Sequence, residues 1–174
     1  MKIVVSDACL FIDLHTIDLT DHFFLLDLEV HTTVDVLADL REEQRRALQP
    51  FRERQSLTAH NLDEADREAI TASKYPGNLC IGDHTSLYLA EKIDAKILSS
   101  ERVLRSAAGT RAIESHGLFW IFDQLGAASI LSHPLACQKL KELMICNAIY
   151  RNNPKLSVEL NGRLKKCDGE VTQL

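Results

Sequence analysis

Residues 2–13 read KIVVSDACLFID, and the fold is decided by how this stretch is understood. Ile3, Val4 and Val5 form a β-branched run without polar alternation, the pattern of a strand buried in a sheet. Ser6-Asp7 cuts that run, and a second apolar run starts at once. A strand over Lys2–Ser6 followed by a helix over residues 8–15 sets the Asp7 carboxylate at the junction, where the strand ends and the helix begins.

The same alternation extends outward. A short helix is expected over residues 21–28, then a strand over LEVHTT, residues 28–33, passing into a helix over 34–48. Val36, Leu37 and Leu40 give that helix its apolar stripe before the charged REEQRR. Gln49-Pro50 is expected to break it, and SLTAHNL reads as an edge strand. Asp63 is a good N-cap for a helix that stops at Pro76-Gly77. A helix from Asp83, a strand over 95–99, a helix over 101–108 and a strand over 111–115 follow. Strands alternating with helices at this spacing predict an α/β fold with a mainly parallel sheet covered on both faces. After Gly117 the residues Leu118, Ile121, Phe122 and Leu125 keep helical spacing, and a further helix after Pro134 carries Leu140, Leu143 and Met144. From Asn152 onward the chain is polar and weakly patterned.

The 174 residues, 45% hydrophobic and 26% charged, suit one domain with a sizeable core and a helical appendage. No apolar run reaches the roughly 18 residues of a membrane span, and the chain enters a strand directly, so a cytoplasmic location without membrane contact is expected. The five cysteines are odd in number and widely spaced, and they read as reduced, mostly buried thiols. A formal charge of −5 weighs against a generally basic nucleic-acid binder. It leaves room for a local arrangement in which acids hold cations and arginines on the rim meet phosphate. Arg41, Arg45, Arg46, Arg52 and Arg54 form one such group and Arg102, Arg105 and Arg111 another, unless each is a plain solvated face.

In an open α/β sheet ligands bind beyond the carboxyl ends of the strands. Asp7 ends the first strand, Glu101 follows the strand of Ile97-Leu98-Ser99, Asp83 opens the helix before it, and Asp39 lies in the helix after the second strand. Singly, Asp7 and Asp83 are explained as helix N-caps and Glu101 as a charge opposing a helix dipole. Asp35 and Asp39, with Glu42 and Glu43, also have the spacing of a solvated acidic face, and Asp35 rivals Asp39 for the second position. As a set, three acids from separate segments are expected at one edge of the sheet, with a fourth available from the helix beside them. Crowded carboxylates repel, and a hard divalent cation relieves that repulsion. Oxygen-only ligation suits Mg²⁺ or Mn²⁺, which activate water and neutralise charge on a phosphodiester. Asp13 is expected to face solvent, and His84 is the one histidine set beside an acid.

VVSDACLFIDL, TTVDVLADL and the stretch from LCIGDHTSLYLAEK to IESHGLFWIFDQLG resemble the PIN-domain nucleases, and within them the VapC-like toxins of bacterial toxin–antitoxin pairs. The resemblance runs from Lys2 to Gly126 and is most specific between Asp83 and Gly117. It implies an α/β/α sandwich over residues 1–126, with residues 127–174 as a C-terminal helical extension packed on the same domain. It also implies a Mg²⁺- or Mn²⁺-dependent endoribonuclease acting on RNA. Carried over by position, the catalytic and metal-ligating acids are Asp7, Asp39, Asp83 and Glu101, and Ser99 matches the small hydroxyl residue that orients a ligand or water. Two positions depart from the family pattern, with Asp39 in place of Glu and Glu101 in place of Asp. Those swaps keep the charge and move the oxygens, which leaves a catalytically weak or inactive RNA- or protein-binding module as the alternative. A cognate antitoxin or a homodimer is the expected partner, covering an apolar groove or dimer surface that the C-terminal helical region forms together with the early helices.

Overall fold

In the computed structural model, which describes residues 2–170 and side chains as far as Cys167, β1 (Lys2–Ser6) lies at the centre of a five-stranded, all-parallel sheet. Val4 and Val5 are both fully buried and point to opposite faces, Val4 into one apolar cluster and Val5 into the other. That two-sided burial is why the strand carries no polar alternation. β1 is followed by α1 (Ala8–Thr16) and the single turn α2 (Thr20–Phe23). β2 (Leu28–Thr33) then pairs with β1 in the register Val4 to Val30.

Residues 34–53 do not form the one helix expected up to Leu48. They divide into α3 (Val34–Ala38) and α4 (Glu42–Glu53). The last turn of α3 tightens, with the Asp39 and Leu40 N–H groups donating to Val36 and Leu37 carbonyls. Gln44 Oε1 accepts the Arg41 N–H at 2.9 Å and starts a new helix. Pro50, expected to break the pattern, sits inside α4. A proline there forfeits a backbone hydrogen bond at a cost of about 3 kcal/mol. Leu48 and Phe51, both 2% exposed, anchor the helix on the core across that position, and Phe51 stacks on Phe24 at 3.9 Å.

β3 (Leu57–His60) is an edge strand, and α5 (Glu64–Ala72) is capped by Asp63, which accepts the Asp66 N–H at 2.9 Å. α6 (Ile81–Lys92), β4 (Lys96–Leu98), α7 (Arg102–Thr110) and β5 (Ser115–His116) complete the sheet in the order β3-β2-β1-β4-β5. β5 is shorter and later than the expected strand over 111–115, because α7 runs to Thr110 and the chain turns through Ala112 at φ 58°. The short helix expected over 21–28 is likewise reduced to α2, since Leu28 is already paired with Lys2.

α8 (Leu118–Ala127), α9 (His133–Cys146), α10 (Ala148–Asn152) and α11 (Pro154–Glu170) pack on the Val4 face with α1. The polar tail is therefore a long helix whose Leu160 and Leu164 are buried. The two C-terminal stripes are not left open. Leu118, Ile121, Phe122, Leu125, Leu140 and Leu143 all lie in the main core, and Met144 packs against it. The reason is that α8 and α9 pack on each other. Cys137 of α9 and Cys167 of α11 form a disulfide, which corrects the reading of all five cysteines as free thiols. Of the other three, Cys80 and Cys146 are exposed. Among the described residues no helix is long and apolar enough to cross a membrane.

Candidate functional site

The carboxyl ends of β1, β2 and β4 are stitched together by hydroxyl groups. Thr32 Oγ1 donates to the Ser6 carbonyl at 3.0 Å, and the Thr33 and Thr85 hydroxyls meet at 2.8 Å, tying β2 to α6. The Asp7 N–H donates to Leu98 O at 3.2 Å, so Asp7 leaves β1 beside the end of β4. Asp7 caps α1, its Oδ1 accepting the Leu10 N–H at 2.8 Å. Its Oδ2 accepts a short hydrogen bond from Ser99 Oγ, which itself accepts the Glu101 N–H at 2.9 Å. Ser99 is fully buried, and its hydroxyl links the first acid to the fourth.

Asp83 is not the first residue of its helix. Cys80 is the N-cap, and Asp83, on the first turn, accepts the Cys80 N–H at 3.0 Å through Oδ2. Asp39 closes α3 and turns toward the same helix end, its Oδ2 3.9 Å from Cys80 Sγ. The approach depends on Gly82, where an added Cβ would stand 2.6 Å from Asp39 Oδ2.

Charge shows how closely the four acids are grouped. The negative charge of Asp83 acts on Asp7, on Asp39 and on Glu101. Burial first, then Asp83 and Glu101, push the Asp7 carboxyl up to about 7, against the pull of the Ser99 and Leu10 hydrogen bonds. Desolvation and Asp83 raise Glu101, and desolvation with the charges of Asp83 and Asp35 raises Asp39. Among the described residues none of the four is in an ion pair, which leaves their repulsion uncompensated. Asp35 differs. Its carboxylate is held by both terminal nitrogens of Arg67, at 3.1 and 3.3 Å.

Sequence reasoning missed three residues around this cluster. Cys9, two positions after Asp7, places its Sγ 3.8 Å from Glu101 Oε2, and ligand atoms of Asp7, Cys9 and Glu101 lie within 4.8 Å of one another. Burial and the surrounding acids drive the Cys9 thiol upward, so without a bound ion it is protonated and donates to Glu101. Cys80 is the second, its thiol pushed up to about 11 chiefly by desolvation. Asp13 is the third. Expected in solvent, it is 4% exposed and receives Asn147 Nδ2 at 2.8 Å and the Tyr150 hydroxyl at 2.9 Å. The i, i+6 spacing from Asp7 held no sign of this, because the donors, Tyr150 of α10 and its N-cap Asn147, lie more than 130 residues away. His84 faces away, bonded to Pro76 O at 3.1 Å.

A family model described as PIN domain (DUF3368) matches residues 3–160. No curated protein matches the chain.

Proposed function

The chain belongs to the PIN-domain family, and on that premise we propose that it is a divalent-cation-dependent endoribonuclease. The observation that carries this reading is the acid cluster itself. Four carboxylates from separate segments gather at the carboxyl edge of a parallel sheet, with Asp83 acting on the other three and no cationic side chain among the described residues paired to any of them. Such a donor set fits Mg²⁺ or Mn²⁺, hard ions that prefer oxygen and need few protein carboxylates. A bound ion of this kind activates water and offsets charge on the scissile phosphodiester.

Asp7, Asp39 and Asp83 would hold the principal ion, and Glu101 a second ion or the attacking water. Ser99 positions Asp7 and Glu101 through its two hydrogen bonds, and Gly82 lets Asp39 close in. The biological setting that the sequence resemblance implies is a toxin restrained by an antitoxin; co-expression with the product of a small neighbouring reading frame, read as loss of cleavage, tests it.

The direct test is cleavage of a fluorogenic single-stranded RNA in Mg²⁺ or Mn²⁺. Cleavage should stop with EDTA and return on re-addition of the ion. Cleavage that resists EDTA, or none in either ion, overturns the reading. Gly82→Ala gives a sharper check. The new methyl group should push the Asp39 carboxylate aside, and misplacement near 1 Å costs about 10²-fold in rate. Helix propensity favours alanine by up to about 1 kcal/mol, so the melting temperature should hold while cleavage falls. Undiminished cleavage by this variant would remove Asp39 from the site.

A further inference from the structure

Beside the acid cluster lies a cavity of about 630 Å³, walled by α1, α7, α10 and α11, that includes Cys9 and Glu101 in its lining. We infer that this cavity receives one unpaired nucleotide of a single-stranded RNA next to the scissile phosphate, base inward and phosphate on the rim. The inference rests on the ribonuclease reading and adds to it a substrate-binding role for the C-terminal helices.

The floor of the cavity is already satisfied. Asp13 is held by Asn147 and Tyr150, and Tyr150 is also 3.3 Å from Ser100 Oγ, so this polar patch is rigid and needs no ligand. The walls are apolar where a base would lie flat: Ile12, Leu156, and Ile149, which is 63% exposed on a single-turn helix. Aliphatic walls of this kind bury the face of a base by apolar contact and read no base edge. Asn153 uses its Oδ1 to cap α11, accepting the Lys155 and Leu156 N–H groups at 3.1 and 3.3 Å, and its amide NH₂, without an acceptor among the described residues, can donate to a base edge.

Charge selects the occupant. Glu159 at the far wall shares Arg163, 3.3 Å away, with Asp123, which holds the same guanidinium at 2.6 and 2.9 Å, while Arg102 and Lys155 on the rim have no acidic partner among the described residues. Three of the other arginines named as phosphate candidates are already engaged. Arg46 pairs with Glu42, Arg111 with Glu91, and Arg105 donates to Ser99 O at 2.6 Å. Two free cations beside a four-acid cluster, on a chain of charge −5, suit a phosphate-bearing strand crossing from the rim to the acids. An apolar peptide would leave both cations unmatched. The volume lies within the roughly 300–1,000 Å³ of small-ligand sites.

The test is fluorescence anisotropy of a labelled twelve-nucleotide single-stranded RNA with the full chain, in Ca²⁺ and in EDTA. Ile149→Asp, which puts a negative charge on the exposed apolar wall, and Arg102→Ala, which removes a rim charge, should each weaken binding about tenfold. Arg102→Ala should also lower the salt slope by about 0.7, the value for one phosphate contact on a single strand. A merely structural role for Arg102 would leave that slope alone. Equal affinity of both variants and the parent, or an Arg102→Ala slope that does not move, overturns the cavity assignment even if cleavage is intact. A parent chain that does not bind the RNA overturns it as well. RNA that binds through the cavity while no ion supports cleavage upholds the assignment and refutes the nuclease reading instead.

Discussion

Asp7→Asn should abolish ion-dependent RNA cleavage and, in the absence of the ion, make the folded chain more stable above neutral pH. The loss follows from removing one negative charge from the centre of the donor set, and is expected to reach at least about 10²-fold, as when electrostatic stabilisation of a transition state is lost. The gain follows from burial. Asp7 is 1% exposed and its carboxyl is raised from 3.8 to about 7 in the folded chain. Between those values the folded state binds the proton that the unfolded state releases, so stability falls as pH rises from about 4 to about 7 and stays lowered above. Asparagine has no such titration, and its Oδ1 can still accept the Leu10 N–H. The two chains should therefore melt alike below about pH 4 and diverge by a few kcal/mol at pH 8, with the order of magnitude set by the shift. Mg²⁺ should close the gap by raising the parent alone. Calorimetry across that pH range measures the divergence. A variant less stable than the parent at pH 8 would mean that the Asp7 charge is compensated in the folded chain.

Reduction of Cys137–Cys167 should lower the melting temperature by roughly 10 °C. The bridge joins residues 30 apart in sequence, and closing a loop of that length in the unfolded chain is worth about 3–4 kcal/mol. For a domain of this size each kcal/mol moves the midpoint by roughly 2–4 °C. α11 should stay docked through Leu160 and Leu164, so the far-ultraviolet spectrum should persist below the transition. Cys167→Ser should match the reduced parent and be insensitive to reductant. Thiol titration of the denatured, unreduced chain should find three groups: Cys9, Cys80 and Cys146. Five reactive thiols, with no effect of reductant, would show that the bridge does not form in solution.

The sequence by itself determined the first two strands, the parallel alternation of strands and helices, and the position of the acids along the chain. β1 and β2 span the residues expected of them, and β1 is legible because a strand buried on both faces reads as an unbroken apolar run. Asp7 and Glu101 were placed at strand ends by the same runs, which is local information. Tertiary structure decided the rest. Whether Asp35 or Asp39 joins the cluster turned on Arg67, from another helix, and on the break at Asp39 that Gln44 makes possible. Pro50 stays helical because Leu48 and Phe51 are buried, and a propensity rule cannot see the core they enter. Asp13 became a buried acid, and Cys137 and Cys167 a pair, when α10 and α11 folded back over α1 and α9. A weakly patterned tail gives no sign of such contacts, because partners so far apart in sequence meet only through the packing of the helices between them.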